Sequence, residues 1–179
     1  MSSVLVVYAS RYGSTKGVAE RIAAALRTGG AVVELRSVDE VEDLSAYDAI
    51  VFGSAVFNQR WMPEGEEWVH RNLSALAARP VWLFSVGTFG DRKRLIGPFM
   101  KREPKGIREL ERELRPRDYR VFAGVIGRHQ WPFFSRLFFH SLGGRLGDNR
   151  DWDAIDAWAR EIAHALETTS VPAVPAKLS

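Results

Sequence analysis

Apolar and polar positions along this chain alternate with two periods, that of strands and that of helices. Val4-Leu5-Val6-Val7-Tyr8-Ala9 is a continuous apolar, β-branched run, the pattern of a strand covered on both faces. The polar turn Ser10-Arg11-Tyr12-Gly13-Ser14-Thr15 stops it. Over residues 16–27 the period becomes helical, with Val18, Ala19, Ile22, Ala23 and Leu26 on one face, and Gly29-Gly30 closes the helix. Residues 31–36 predict a second strand and residues 47–53 a third. Pro63, followed by Glu64, Glu66 and Glu67, predicts a helix reaching about residue 78. Residues 80–86 predict strand four, residues 105–114 a charged helix and residues 119–126 strand five. Trp152, Ile155, Trp158, Ile162 and Leu166 form one face of a last helix over residues 151–167. Residues 168–179 carry two prolines and no apolar period, which predicts a loose tail.

Strands that alternate with helices define an α/β chain with an open, doubly wound parallel sheet of five strands and helices on both faces. Residues 1–167 are expected to form one domain. Ligands of such sheets sit outside the carboxyl ends of the strands, where the strand order reverses. Three loops leave those ends near the centre of the sheet: residues 10–15, 54–62 and 87–94.

The first loop has the parts of a phosphate cradle. Amide groups at a helix N-terminus are unpaired and carry partial positive charge, so they attract an anion. Ser10, Ser14 and Thr15 add hydroxyl donors, and Gly13 lets the backbone curl around a ligand. A Gly-Lys followed by Ser or Thr is lacking, which excludes a nucleoside triphosphate loop. A G-x-G-x-x-G turn for a dinucleotide is lacking too. A receiver domain needs acidic residues where Ala9-Ser10 and Gly53-Ser54 stand. Two readings stay open here: a terminal monophosphate held by hydroxyls, or an ordinary strand-to-helix turn with a Ser or Thr cap.

Composition narrows the chemistry. The chain has 179 residues and no cysteine, so disulfides, thiolate metal sites and thiol nucleophiles are excluded. Absence of cysteine fits a reducing compartment, and a cytoplasmic location is expected. The sequence runs straight into a strand, and no signal peptide is expected. No apolar run approaches the roughly 20 residues that span a bilayer. The four histidines have no metal-ligand spacing, and no metal is expected. The net charge of +3 conceals a division. Residues 92–145 hold fourteen Lys and Arg against five Asp and Glu, and the remainder holds eleven against seventeen. A basic third of this kind suits an anionic partner or a membrane surface.

The three loops resemble those of flavodoxins. Ser10 to Thr15 is similar to the hydroxyl-rich loop that holds the phosphate of FMN in that family. Gly53-Ser54-Ala55-Val56-Phe57-Asn58 is similar to its second flavin loop. Ser85-Val86-Gly87-Thr88-Phe89-Gly90-Asp91 stands where the third belongs. The resemblance runs from Val4 to about Leu166. It implies FMN as cofactor, bound by Ser10, Arg11, Tyr12, Gly13, Ser14, Thr15, Ser54, Ala55, Val56, Phe57, Asn58, Ser85, Val86, Gly87, Thr88, Phe89 and Asp91. Arg11 or Lys16 would add charge at the phosphate. Phe57, Trp61 and Phe89 are candidates to stack on the ring, with packing of loop to core as the other account of each. Asn58 stands where flavodoxins often place a residue whose peptide flips to meet the reduced flavin, and Asn tolerates positive φ.

Residues 123–128, 131–144 and the Asp151-Trp152 helix start resemble one branch of that family more closely, the menaquinone-dependent protoporphyrinogen dehydrogenases. These carry an insertion before the last helix, here at about residues 128–147. Trp131, Phe134, Phe138 and Leu142 would share one face of a short helix, with Arg136 and His140 as a polar stripe. Such a helix is buried, binds a partner, or lies in a membrane interface. His129 and His140 could donate protons there. The expectation is an FMN oxidoreductase passing electrons to or from an apolar acceptor such as a quinone, and peripheral membrane contact through residues 131–142 is left open. A soluble carrier with no substrate of its own is the alternative, and a flavin-free interaction module the third class. A nucleic-acid partner is not expected, since no recognised module is present.

Overall fold

The computed structural model describes residues 1–87, 107–126 and 147–170. Its strands are β1 (Ser3–Ala9), β2 (Val32–Ser37), β3 (Ala49–Phe57), β4 (Arg60–Trp61), β5 (Val81–Gly87), β6 (Asp118–Ala123), β7 (Val125–Ile126) and β8 (Gly147–Asp148). The helices are α1 (Ser14–Thr28), α2 (Pro63–Arg71), α3 (Leu73–Ala77), α4 (Ile107–Leu114) and α5 (Trp152–Ser170). Five strands pair in parallel in the order β2-β1-β3-β5-β6, and β4 adds antiparallel to β3. Strand order reverses beside β1, so the expected crevice lies between the ends of β1 and β3.

The β1 run explains why both faces need cover. Val4 and Val6 point into a core shared with α1 and α5. Leu5 and Val7 point into a second core shared with α2, α3 and α4. All four are at 0% exposure, and each such side chain contributes about 1.5–3 kcal/mol of hydrophobic stabilisation. In the first core Phe84, Phe122 and Trp158 pack edge on, with centroids 5.6–6.2 Å apart. Gly53 is what admits Phe84: a Cβ at that position would lie inside the Phe84 ring. In the second core Phe52 stacks on Trp68 at 5.3 Å.

Four elements differ from expectation. The third strand runs on to Phe57, because residues 54–57 turn back through a hairpin to pair with Arg60–Trp61. The helix expected over residues 63–78 divides at Asn72, whose side-chain amide donates to the Trp68 carbonyl at 2.8 Å. Asn competes for backbone groups in this way and disfavours a helix interior. The fifth strand breaks at Gly124, and Val125–Ile126 leaves the sheet to pair with Gly147–Asp148 in a separate ribbon. The last helix continues to Ser170, past the expected start of the tail; residues 171–179 lie outside the described residues. Asp151 caps that helix, its Oδ1 accepting the Ala154 amide at 3.0 Å.

Candidate functional site

Parallel register brings the expected loops to one edge. Ala9 pairs with Ser54, Ser54 with Ser85, and Gly87 with Ala123, so the chain leaves four neighbouring strands at the same level. Three of the exposed large apolar side chains, Tyr12, Phe57 and Val125, stand at or just beyond those carboxyl ends.

The cradle follows from the sequence of the turn. Gly13 is the residue before α1 and has φ +83°, the left-handed region that glycine enters without steric cost. A Cβ added to Gly13 would meet nothing within 4 Å, so the turn is open on that side. The Gly13 amide donates to Ser10 Oγ at 3.1 Å, which tightens the loop. The Gly17 amide closes the first helical turn on the Gly13 carbonyl at 3.0 Å. The amides of Ser14, Thr15 and Lys16 have no partner among the described residues, and the first turn holds no acidic side chain.

Thr15 supplies the decisive detail. It is at 0% exposure and its Oγ1 has no hydrogen-bond partner among the described residues. A buried hydroxyl without a partner costs about 1–3 kcal/mol, and one beside three amides unpaired among the described residues, at a positive helix end, is a donor set that fits an anion. Among the described residues the other buried side-chain group without a partner, Trp68 Nε1, is in the α2 core, stacked on Phe52. The cradle fits a phosphate: several donors, one left-handed glycine and no carboxylate. Arg11 is exposed with its guanidinium 5.6 Å from the Tyr12 ring centre, and Lys16 pairs loosely with Glu20 at 3.9 Å.

The second loop is a hairpin whose two central residues, Asn58 and Gln59, have φ of 49° and 61°. Two left-handed residues make the turn that matches strand twist. Asn58 thus adopts the positive φ considered for it. Phe57 is 68% exposed. Ala55 and Val56 are partly buried and connect the hairpin to the sheet.

Two expected hydroxyls and one expected ring serve the interior instead. Ser54 Oγ accepts the Met62 amide at 3.1 Å and ties β3 to the start of α2. Trp61, a stacking candidate, is buried against Phe52 and donates from Nε1 to Ser85 Oγ at 2.7 Å. Ser85 Oγ also lies 2.8 Å from the Tyr119 hydroxyl. Alternation along the strands turns both serines inward, so what β3 and β5 offer a ligand here is backbone. Thr88, Phe89 and Asp91 lie outside the described residues, as do residues 128–144 with His129 and His140.

Gly124, Val125 and Arg150 were not anticipated. The Val125 amide donates to Ser14 Oγ at 2.9 Å. A Cβ on Gly124 would come within 2.8 Å of the same Oγ. The signal for it was an isolated glycine inside a strand pattern, a mark of close backbone approach. A separate groove of about 920 Å³ runs along β6 and α5 past Arg120, Asp148, Arg150 and Trp152. Its charges are engaged with neighbours: Arg150 with Asp148, and Arg120 with Asp118 and Glu161.

A family model described as a flavodoxin domain matches residues 5–151, and the chain belongs to that family. Among characterised proteins, the chain is 23% identical over 171 residues to Protoporphyrinogen IX dehydrogenase (quinone) of Escherichia coli (strain K12), covering 89% of this chain and 94% of that one. Among solved structures it resembles a flavodoxin from the domain Archaea, with a TM-score of 0.61, 19% identity, and coverage of 92% and 99% of the two chains. It also resembles rubredoxin oxygen:oxidoreductase from Desulfovibrio gigas, with a TM-score of 0.66 and 15% identity. That match covers 96% of this chain and 38% of the larger one. No helix among the described residues is long and apolar enough to cross a membrane.

Proposed function

We propose that this protein binds FMN at the carboxyl edge of the sheet and passes electrons to or from an apolar acceptor of the quinone class. The observation that carries the reading is the buried Thr15 Oγ1, without a partner among the described residues, in the helical turn that follows the open Gly13. The amides of residues 14–16 and the hydroxyls of Ser10, Ser14 and Thr15 would hold the phosphate. Backbone of residues 54–58 and of Val86-Gly87 would border the ring, with exposed Phe57 and Tyr12 as its apolar walls. FMN supplies the electron transfer chemistry when bound, and the chain supplies binding, orientation and polarity around it.

The quinone class is supported by the kinship with the Escherichia coli dehydrogenase and by the exposed apolar side chains at this edge. Porphyrinogen oxidation is the most specific form of the same reading. The basic, aromatic composition of residues 131–142 supports peripheral contact with the membrane surface that holds such acceptors. Flotation with lipid vesicles, comparing the natural chain with Phe134→Asp/Phe138→Asp, tests that contact.

The primary test is an absorption spectrum of the purified protein with the released cofactor identified by mass. Flavin bands with FMN released support the reading. A colourless protein that takes up no added FMN removes it. Reduction of a quinone series by the reduced protein then separates an enzyme from a carrier.

A further inference from the structure

Ser14 belongs to two structures at once. It is the first residue of α1, in the cradle, and its Oγ accepts the amide of Val125, the first residue of the β7–β8 ribbon. That ribbon carries the chain into residues 127–146 and back. Gly124 binds it to the sheet, its amide donating to the Gly87 carbonyl at 2.8 Å and its carbonyl accepting the Asn149 amide at 3.3 Å. The returning strand is fastened as well. Arg150 pairs with Asp148 at 2.6 Å and lies 4.4 Å from the Trp152 ring centre. Its guanidinium occupies the space that a side chain on Gly17 would need. Val125 of the outgoing strand and Arg150, just past the returning one, therefore both meet the first turn of the cradle helix.

A serine hydroxyl has one proton and two acceptor lone pairs. At Ser14 one lone pair holds Val125, and no acceptor for the proton is present among the described residues. An anion in the cradle would accept that proton, and hydrogen bonds in a chain polarise and strengthen one another. We propose that Ser14 Oγ is a positioning link through which phosphate in the cradle and the β7–β8 ribbon stabilise each other. This rests on the phosphate reading of the cradle. Linkage makes the effect reciprocal: phosphate firms the ribbon, and the ribbon tightens phosphate binding.

The test is amide hydrogen exchange at Val125 in the full chain, with FMN, riboflavin or inorganic phosphate added. FMN is expected to slow exchange about 5- to 10-fold more than riboflavin, which lacks the phosphate, as fits the loss of one hydrogen bond. In Ser14→Ala that difference disappears, and in Ser14→Thr, which keeps a hydroxyl, it returns. Equal protection by FMN and riboflavin, or an undiminished difference in Ser14→Ala, overturns the link. If neither flavin binds, the flavin reading falls and phosphate alone decides: protection of Val125 that Ser14→Ala removes supports the link, and no protection refutes it. A variant that fails to fold is recognised from its circular dichroism, and the ligand comparison on the natural chain still decides.

Discussion

The indole of Trp61 donates to the hydroxyl of Ser85 at 2.7 Å, joining the short β4 to the central β5 beneath the carboxyl edge of the sheet. Both side chains are buried; the bond satisfies the indole N–H, while Ser85 Oγ also has the Tyr119 hydroxyl at 2.8 Å. Ser85→Ala is expected to destabilise by about 1–3 kcal/mol, since it leaves the buried indole N–H behind, and Trp61→Phe by about 0.5–1.5 kcal/mol, since Ser85 keeps Tyr119. The double variant should cost less than the sum. Urea unfolding of the four proteins in a cycle measures this; strict additivity would mean that the bond contributes nothing.

Thr15 should show opposite effects on stability and binding. Thr15→Val keeps the shape but removes the buried hydroxyl that lacks a partner. The flavin-free protein is expected to gain about 1 kcal/mol, since the desolvated group is gone. FMN affinity is expected to fall about 5- to 10-fold with loss of one hydrogen bond to phosphate. Thermal unfolding without flavin and a fluorescence titration with FMN give the two halves. A destabilised variant with unchanged affinity would show that Thr15 serves only as a helix residue.

Gly53→Ala is expected to be among the most damaging single substitutions in the sheet. The new methyl would fall within the Phe84 ring, between Phe84 and β3, where neither the strand nor the packed ring can withdraw freely. Overpacking at such a position costs about 1–3 kcal/mol or more. The denaturation midpoint checks it, and Gly53→Ala/Phe84→Leu should recover part of the loss.

Acid should weaken the α5 face at Asp118. Burial pushes its pKa up, but the bonds from Arg120, Trp158 Nε1 and the Tyr119 amide outweigh burial and hold it below the usual carboxylate value. A group with a lowered folded pKa adds stability above its unfolded value, near 3.9, and loses it as pH falls through the folded value. The natural chain should therefore lose stability from about pH 5 downward. Asp118→Asn, which can still accept from Trp158, should be less stable at pH 7 and show a shallower decline between pH 5 and 3. Melting temperatures across that range decide it, and parallel curves would assign the acid slope to other carboxylates.

Sequence pattern was most informative where one interaction dominates. The β1 run is apolar at every position because both of its faces are covered, and its glycine turn has few alternatives. It failed where two residues compete. Residues 57–60 carry no Asn-Gly signal, because Gln59 takes the second left-handed position, so the hairpin was invisible. Asn72 sits inside a helical pattern and divides it through a bond to Trp68 that periodicity does not register. Trp61 and Ser85 have the residue types of a flavin loop, but strand alternation turns them inward, and only three-dimensional register reveals that. The tie from Ser14 to Val125 spans 111 positions, beyond the reach of any local pattern.

That last separation bears on how the protein is made. The turn that would receive phosphate is synthesised before Val125, which anchors its Ser14, and before Arg150, under which the neighbouring Gly17 lies. Contacts so distant along the chain form late, after the entropy of closing the intervening loop has been overcome. A nascent chain that ends before Gly124 holds the cradle sequence without its support. A phosphate ligand of this cradle would therefore load late in the maturation of the chain.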